Sequence, residues 1–195
     1  MSKGLIAAIV FGLIVMFGGF WACNKRNGFV SLREEAKAQW QQVESQYQRR
    51  MDLIPNIVAT VKGEANFEKS TLEAVVSARA SATQVKVNLD DMNDASIAKY
   101  KAAQGDLSNA LGRLLMVTEN YPNLKSNAAF SDLRVELEGC ENRIATERMK
   151  YNNTSKDYNK AIQMFPGSLM AGGCNPMPYF EAEAGAEKAP KVSFE

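Results

Sequence analysis

Acid–base and nucleophilic chemistry need side chains that titrate near neutrality or attack as anions. This chain of 195 residues carries few of them in useful patterns. It has no histidine, which removes Ser-His and Cys-His catalytic pairs and every His-based metal site. Its three cysteines, Cys23, Cys140 and Cys174, are far apart and form no CxxC, so neither a zinc site nor a redox motif is supported. No P-loop, GxSxG, HExxH or strand-linked GxGxxG occurs. The acidic neighbours Glu34-Glu35 and Asp90-Asp91 cannot face one site from adjacent positions, so solvated charge is their expected state. Arg49-Arg50 could grip a phosphate or an acidic partner, but a salt link inside the fold is the plainer role. Asn152-Asn153-Thr154 matches a glycosylation acceptor but falls within a predicted helix, and it is discounted. No catalytic residue, metal or cofactor is expected.

The elements that must position these residues divide sharply. Gly4 to Cys23 contains no charge and has the length a helix needs to cross a hydrocarbon core. Lys3 precedes it and Lys25-Arg26 follow, with Phe20 and Trp21 near the far end, where interfacial aromatics belong. A cleaved signal peptide or a lipoprotein cut before Cys23 would want small residues where Phe20-Trp21 stand. An uncleaved, single-pass anchor fits best, giving residues 1–26 as a membrane unit and the bilayer as partner of residues 4–23. Basic residues near the span lean slightly toward a cytoplasmic body, which leaves the side open. Outside residues 1–23, whose sole charged side chain is Lys3, acids and bases balance. No basic stripe for nucleic acid results.

Residues 27–165 read as helices over about 31–62, 70–86, 94–120 and 127–164. In the first, Leu32, Ala36, Trp40, Val43, Tyr47, Ile54, Ile57, Val58 and Val61 recur at the helical period. Pro55 predicts a kink, because it cannot donate to the Met51 carbonyl. Ser70 and Glu73 match a capping box, Asp94 is the expected cap of the third helix, and Ser126 or Asn127 that of the fourth. Pro122 should stop the third. Phe130, Leu133, Leu137, Cys140, Ile144, Glu147, Tyr151, Thr154, Tyr158 and Ala161 form a coiled-coil-like repeat in the fourth. Cys140 sits on that stripe as a structural thiol. No strand pattern competes. The expected fold class is all-α: an N-terminal transmembrane helix, then an elongated antiparallel four-helix bundle, then an irregular tail over 166–195.

Aligning Val30 with Gln163 in that bundle puts Arg50 level with Arg143, and Tyr47 level with Thr146. Glu147 then occupies a seam position and needs a partner. Arg50 is the expected one, with Tyr47 and Asn142 nearby, as a polar cluster that fixes helix register or, less plainly, holds a ligand. The topology also returns the tail toward the membrane. Phe165, Tyr179 and Phe180 with Trp21 are candidate interface residues, while packing over the open bundle end is the blander reading.

Several stretches, in order, resemble the LemA family of bacterial membrane proteins. They are Val30 to Glu35, Trp40, Gln48 to Asn56, Val61-Lys62-Gly63, Glu68 to Glu73 and Ala78-Arg79. Further on come Tyr121 to Lys125, Glu141 to Ala145, Tyr151-Asn152, Tyr158-Asn159, Phe165-Pro166 and Tyr179 to Ala182. Asn27-Gly28-Phe29 departs from the usual Tyr-Asn-aliphatic pattern. The resemblance implies an anchor and an elongated helical bundle, with no established enzymatic activity and so no catalytic residues to transfer. Two readings follow. The first is a membrane-anchored scaffold or adaptor in the bacterial cytoplasmic (inner) membrane, binding an unidentified membrane or envelope protein, with oligomerisation open. The alternative is a membrane-remodelling or lipid-contacting protein using the bundle base and tail.

Overall fold

The computed structural model describes residues 3–64 and 67–180, and the fold among them is all-helical. Expectations on residues 181–195 lie outside the described residues. The long helices are α1 (Lys3–Lys62), α2 (Lys69–Gln84), α3 (Asp94–Thr118) and α5 (Ala128–Gln163); α4 (Pro122–Lys125) is a single turn between α3 and α5. A 3-10 turn, Gly167–Leu169, follows α5.

No break in the helix separates the apolar run from the first helix of the body. α1 is one helix of 60 residues, about 90 Å long at 1.5 Å per residue. Asn27 and Gly28 are weak helix formers, but each costs only about 1 kcal/mol or less once helix exists on both sides. Its N-terminal part is long and apolar enough to cross a membrane, and the apolar window has no share buried inside the protein. Burial begins abruptly at Phe29. From there Ala36, Trp40, Val43, Tyr47, Ile54, Ile57, Val58 and Val61 are all buried, at three- and four-residue spacings.

Pro55 does not end α1. The carbonyl it cannot satisfy, that of Met51, accepts instead from Nε of Arg79 on α2 at 2.9 Å. A helix defect thus becomes a tie between two helices.

The caps differ from expectation at two ends. α2 begins at Lys69, so Ser70 is already its second residue and cannot cap; Glu68 is the N-cap, and its carboxylate accepts from the Thr71 hydroxyl at 2.8 Å. At α3 the cap is Asn93 rather than Asp94. Asn93 Oδ1 accepts from the Ser96 amide at 3.0 Å, and Ser96 Oγ accepts from the Asn93 amide at 3.1 Å, a reciprocal box. Asp94 falls in the first turn, where the helix dipole favours an acid. Pro122 stops α3's continuation and opens α4, where a missing amide hydrogen is harmless. Asn127 caps α5, accepting from the Phe130 amide at 3.3 Å.

α1 and α5 run antiparallel, since contacts along them reverse in order. Arg49 meets Glu136, Arg50 meets Glu141, Gln46 meets Arg143 and Gln39 meets Glu147. This register is roughly one turn from the expected alignment. The expected alignment started the first helix at residue 31, whereas α1 continues backward and α5's end packs beside Phe29 and Lys25.

Two buried apolar groups result. One is mainly aliphatic, built from Met51 to Val61 of α1 with α2, the second half of α3, α4 and the first half of α5. The other, nearer the N-terminal apolar run, is aromatic: Phe29, Trp40, Tyr47, Tyr100, Tyr151, Tyr158 and Phe180 lie in it.

Candidate functional site

Arg50 lies at the junction of the two apolar groups and is 1% exposed. It is the α1 seam position between Tyr47 and Ile54, where the apolar stripe skips. Its Nη1 donates to Glu141 Oε1 at 2.8 Å and to Ser108 Oγ at 2.6 Å. Its Nη2 donates to Gln104 Oε1 at 2.6 Å and to the Gln104 carbonyl at 3.1 Å. The guanidinium also lies 5.1 Å from the Tyr47 ring centroid. One side chain therefore ties α1 to α3 and α5.

Of the four residues expected to cluster, the fold brings Arg50 and Tyr47 together and leaves Glu147 and Asn142 out. Glu147 is bonded by Gln39 and, at 2.8 Å, by Lys150. The Lys150 ammonium holds its carboxyl below the ordinary value. Asn142 is exposed, and its carbonyl accepts from Thr146. Arg50 meets Glu141 instead, six residues before Glu147 on α5, in a register that differs from the expected alignment. Arg49 pairs with Glu136 at 2.9 Å, so both arginines are spent within the fold.

A second site was not expected from the sequence. The chain after α5 turns back and runs along it, held by two Tyr-Asn pairs seven residues apart. Asn159 Nδ2 donates to the Met177 carbonyl and its Oδ1 accepts from the Met177 amide, both at 2.7 Å. Asn152 does the same for Phe180, both at 2.8 Å. Tyr151 donates to the Pro178 carbonyl at 2.9 Å, and Tyr158 to that of Asn175 at 3.1 Å. The spacing is physical. Seven helical residues rise about 10.5 Å, and three extended residues span about 10 Å. Residues two turns apart on α5 thus read residues three apart on the strap.

The strap's side chains complete the aromatic core. Phe180 stacks on Trp40 with ring centroids 5.2 Å apart, and Tyr151 meets Trp40 edge-on at 5.2 Å. Arg148 covers the outer face of Phe180, 4.9 Å from the ring centroid. Burial raises the Tyr151 hydroxyl to about 12 and pushes those of Tyr47 and Tyr158 upward. These phenols stay protonated donors. A hollow of ≈ 920 Å³ opens beside the strap, with Asp91 and Asp94 on one side and Lys156 and Lys160 on the other.

The sequence carried one signal for this site, the repeated Tyr-Asn dipeptide at heptad spacing. Asparagine on a buried stripe is costly unless both ends of its amide are bonded.

The candidate interface residues separate. Phe165 is 78% exposed, and Trp21 and Tyr179 are also exposed. Phe180 is buried against Trp40, because the strap climbs away from the apolar run instead of staying at the end of α5. Cys140 is buried in the aliphatic core, and Cys23, Cys140 and Cys174 are free thiols. Among the described residues no group of three or more acids or cysteines is placed to hold a metal ion.

The model of the LemA family matches residues 39–194. Magnetosome protein MamQ of Magnetospirillum gryphiswaldense is 30% identical over 162 residues, covering 74% of this chain and 60% of that protein. Magnetosome proteins MamQ 1 and MamQ 2 of Paramagnetospirillum magneticum match to the same extent. The chain therefore spans about 60% of the length of these relatives.

Proposed function

The chain belongs to the LemA family, and from that premise we propose that it is a membrane-anchored helical scaffold of the bacterial envelope, acting through protein–protein contacts without catalysis. In this reading residues 4–23 cross the cytoplasmic (inner) membrane once. The long helices form an elongated antiparallel bundle that holds a binding face at a fixed height.

The observation that carries the reading is the continuity of α1. Its apolar N-terminal part has no partner inside the protein, while its remainder packs against α5 along most of that helix. A single helix with no joint at residues 24–30 sets the body's position relative to the bilayer. The body's buried and half-buried polar side chains Arg50 and Arg79 are bonded across helices, and Asn152 and Asn159 to the strap.

The partner-facing surface in this reading is the outer face of α2 and α3, where Val76 and Met116 are 50% and 71% exposed. A photo-crosslinking residue at 76 or 116, introduced in cells, should yield a discrete adduct with another membrane or envelope protein. Adducts only to lipid, or only to a second copy, would overturn the adaptor role.

The alternative, contact with lipid beyond the anchor, has one observation in its favour. Met164, Phe165 and Leu169 are 55%, 78% and 69% exposed at the end of α5. The part of it that relied on Phe180 has no support, since Phe180 is buried.

A further inference from the structure

We propose that the turn after α5, residues 164–169, is a second membrane contact: a foot that seats Phe165 and Leu169 in the interfacial layer of the bilayer that α1 spans. The inference rests on the anchor reading and adds to it a site, a depth and an occupant.

The depth follows from α1. The charge-free run ends at Cys23, and the helix continues without a break. Lys25 is about 3 Å further along the axis and Phe29 about 9 Å. Those two residues share a hollow of ≈ 300 Å³ with Lys160, Met164, Phe165 and Gly167. The foot is therefore level with the first two turns outside the apolar run. The interfacial layer on each side of a bilayer is roughly 5–8 Å thick. The Lys25 side of the foot falls within it, and the Phe29 side lies at its outer edge.

The level is held firmly. Gly167 packs so closely that a methyl group there would come within 2.5 Å of the Ala161 carbonyl oxygen and 3.2 Å of the Phe29 ring. The turn is bolted to α1 at this height and cannot swing away without losing that contact. A tilt of about 20° moves a neighbouring helix, 8–10 Å to the side, by only about 3 Å in depth.

The chemistry fits the same layer. A phenylalanine 78% exposed and a leucine 69% exposed, with a half-exposed methionine, stand within one six-residue turn without cover inside the protein. Lys25 and Lys160 line the same hollow with Asp157, a net positive charge that suits anionic headgroups. Tyr179 does not belong to the foot. Its neighbour Phe180 stacks on Trp40, which is 17 residues and about 26 Å beyond Cys23, well outside the interface.

The test uses the full chain in phosphatidylethanolamine/phosphatidylglycerol vesicles, with native cysteines replaced by serine or alanine. Nitroxide labels go at 164 and 168, leaving Phe165 and Leu169 in place, with references at 14 in the apolar run and 116 on α3. Collision with oxygen and with a water-soluble nickel chelate reports depth. The expected result is low nickel accessibility at 164 and 168, intermediate between 14 and 116, rising several-fold in the Phe165→Ser, Leu169→Ser double variant. Nickel accessibility at 164 and 168 equal to that at 116, with 14 shielded, overturns the foot and leaves the anchor standing. Exposure at 14 as well overturns the anchor reading itself.

Discussion

If the strap is held by the two Tyr-Asn pairs, replacing Asn159 with leucine should release it while leaving the helices packed. The variant keeps the side-chain size and removes both polar ends. Two bonds of 2.7 Å are lost, and the Met177 amide and carbonyl remain in a site where Met177 is 5% exposed. An unsatisfied buried backbone group costs about 1–3 kcal/mol, so the pair costs roughly 2–4 kcal/mol after partial hydration. At 1.4 kcal/mol per tenfold, opening of the strap should become about 30- to 1,000-fold more frequent. Hydrogen exchange of the full chain in detergent micelles reads this directly. The Met177 and Phe180 amides should lose protection by that factor, and Trp40 emission should report the lost stacking with Phe180. Amides of α1 and α5 away from the strap should keep theirs. Asn153→Leu, one position along the helix from Asn152 and exposed, is the control and should change nothing. Unchanged protection at Met177 and Phe180 in an Asn152→Leu, Asn159→Leu double variant would refute the clamp. Uniform loss of protection along the whole chain would refute the idea that the strap is a separable layer.

Three further expectations follow from the other polar ties. Arg50→Met should cost about 2–4 kcal/mol in urea unfolding, because it strands Gln104 Oε1, and adding Gln104→Leu should recover at least half; a single-variant cost below about 0.5 kcal/mol would refute it. Arg79→Ala should cost about 1–2 kcal/mol, and less than half of that once Pro55→Ala restores a donor to the Met51 carbonyl; equal costs in both backgrounds would show that the tie does not substitute for the missing helix bond. Stability should fall as pH rises from about 10 to about 12. The unfolded chain gives up the Tyr151 proton near 10 while the folded state keeps it to about 12, a contribution on the order of 2–3 kcal/mol. Tyr151→Phe should flatten that decline.

Helix existence was legible in the sequence because a three-four apolar repeat has one physical solution in water, the burial of a stripe. The α1 stripe from Ala36 to Val61 shows it residue by residue. Register was less legible. It depends on where each helix starts, and nothing in Asn24 to Val30 announces that α1 passes straight through. The expected Arg50–Glu147 pair therefore became Arg50–Glu141. Caps failed by one or two residues where several polar side chains compete, as at Glu68, Lys69 and Ser70, or Asn93 and Asp94. The strap was hidden for a different reason. Its hold on α5 is made by side chains reading backbone amides, which leaves no apolar period in residues 171–180 to detect. Met177, Pro178 and Phe180 are buried there, at spacings that match neither a helical nor a strand period.

The distribution of polar residues explains how a chain without histidine, and without assembled acids among the described residues, still uses buried polarity. Each buried or half-buried polar tie joins segments that apolar packing alone would leave free to slide. Arg50 fixes α1 against α3 and α5 between two apolar groups that would each tolerate a shifted register. Arg79 fixes α2 at the one carbonyl of α1 that proline leaves open. Asn152 and Asn159 fix the strap by its backbone, at two points whose spacing only one register satisfies. Apolar area is non-directional and supplies stability, whereas bonded polar groups supply uniqueness of arrangement, since a slip of one turn strands them in the core. Under the proposed scaffold function, in which a face is presented at a set distance from a membrane, fixed register is the property function depends on. The same reasoning predicts that variants removing these ties damage partner binding before they unfold the helices.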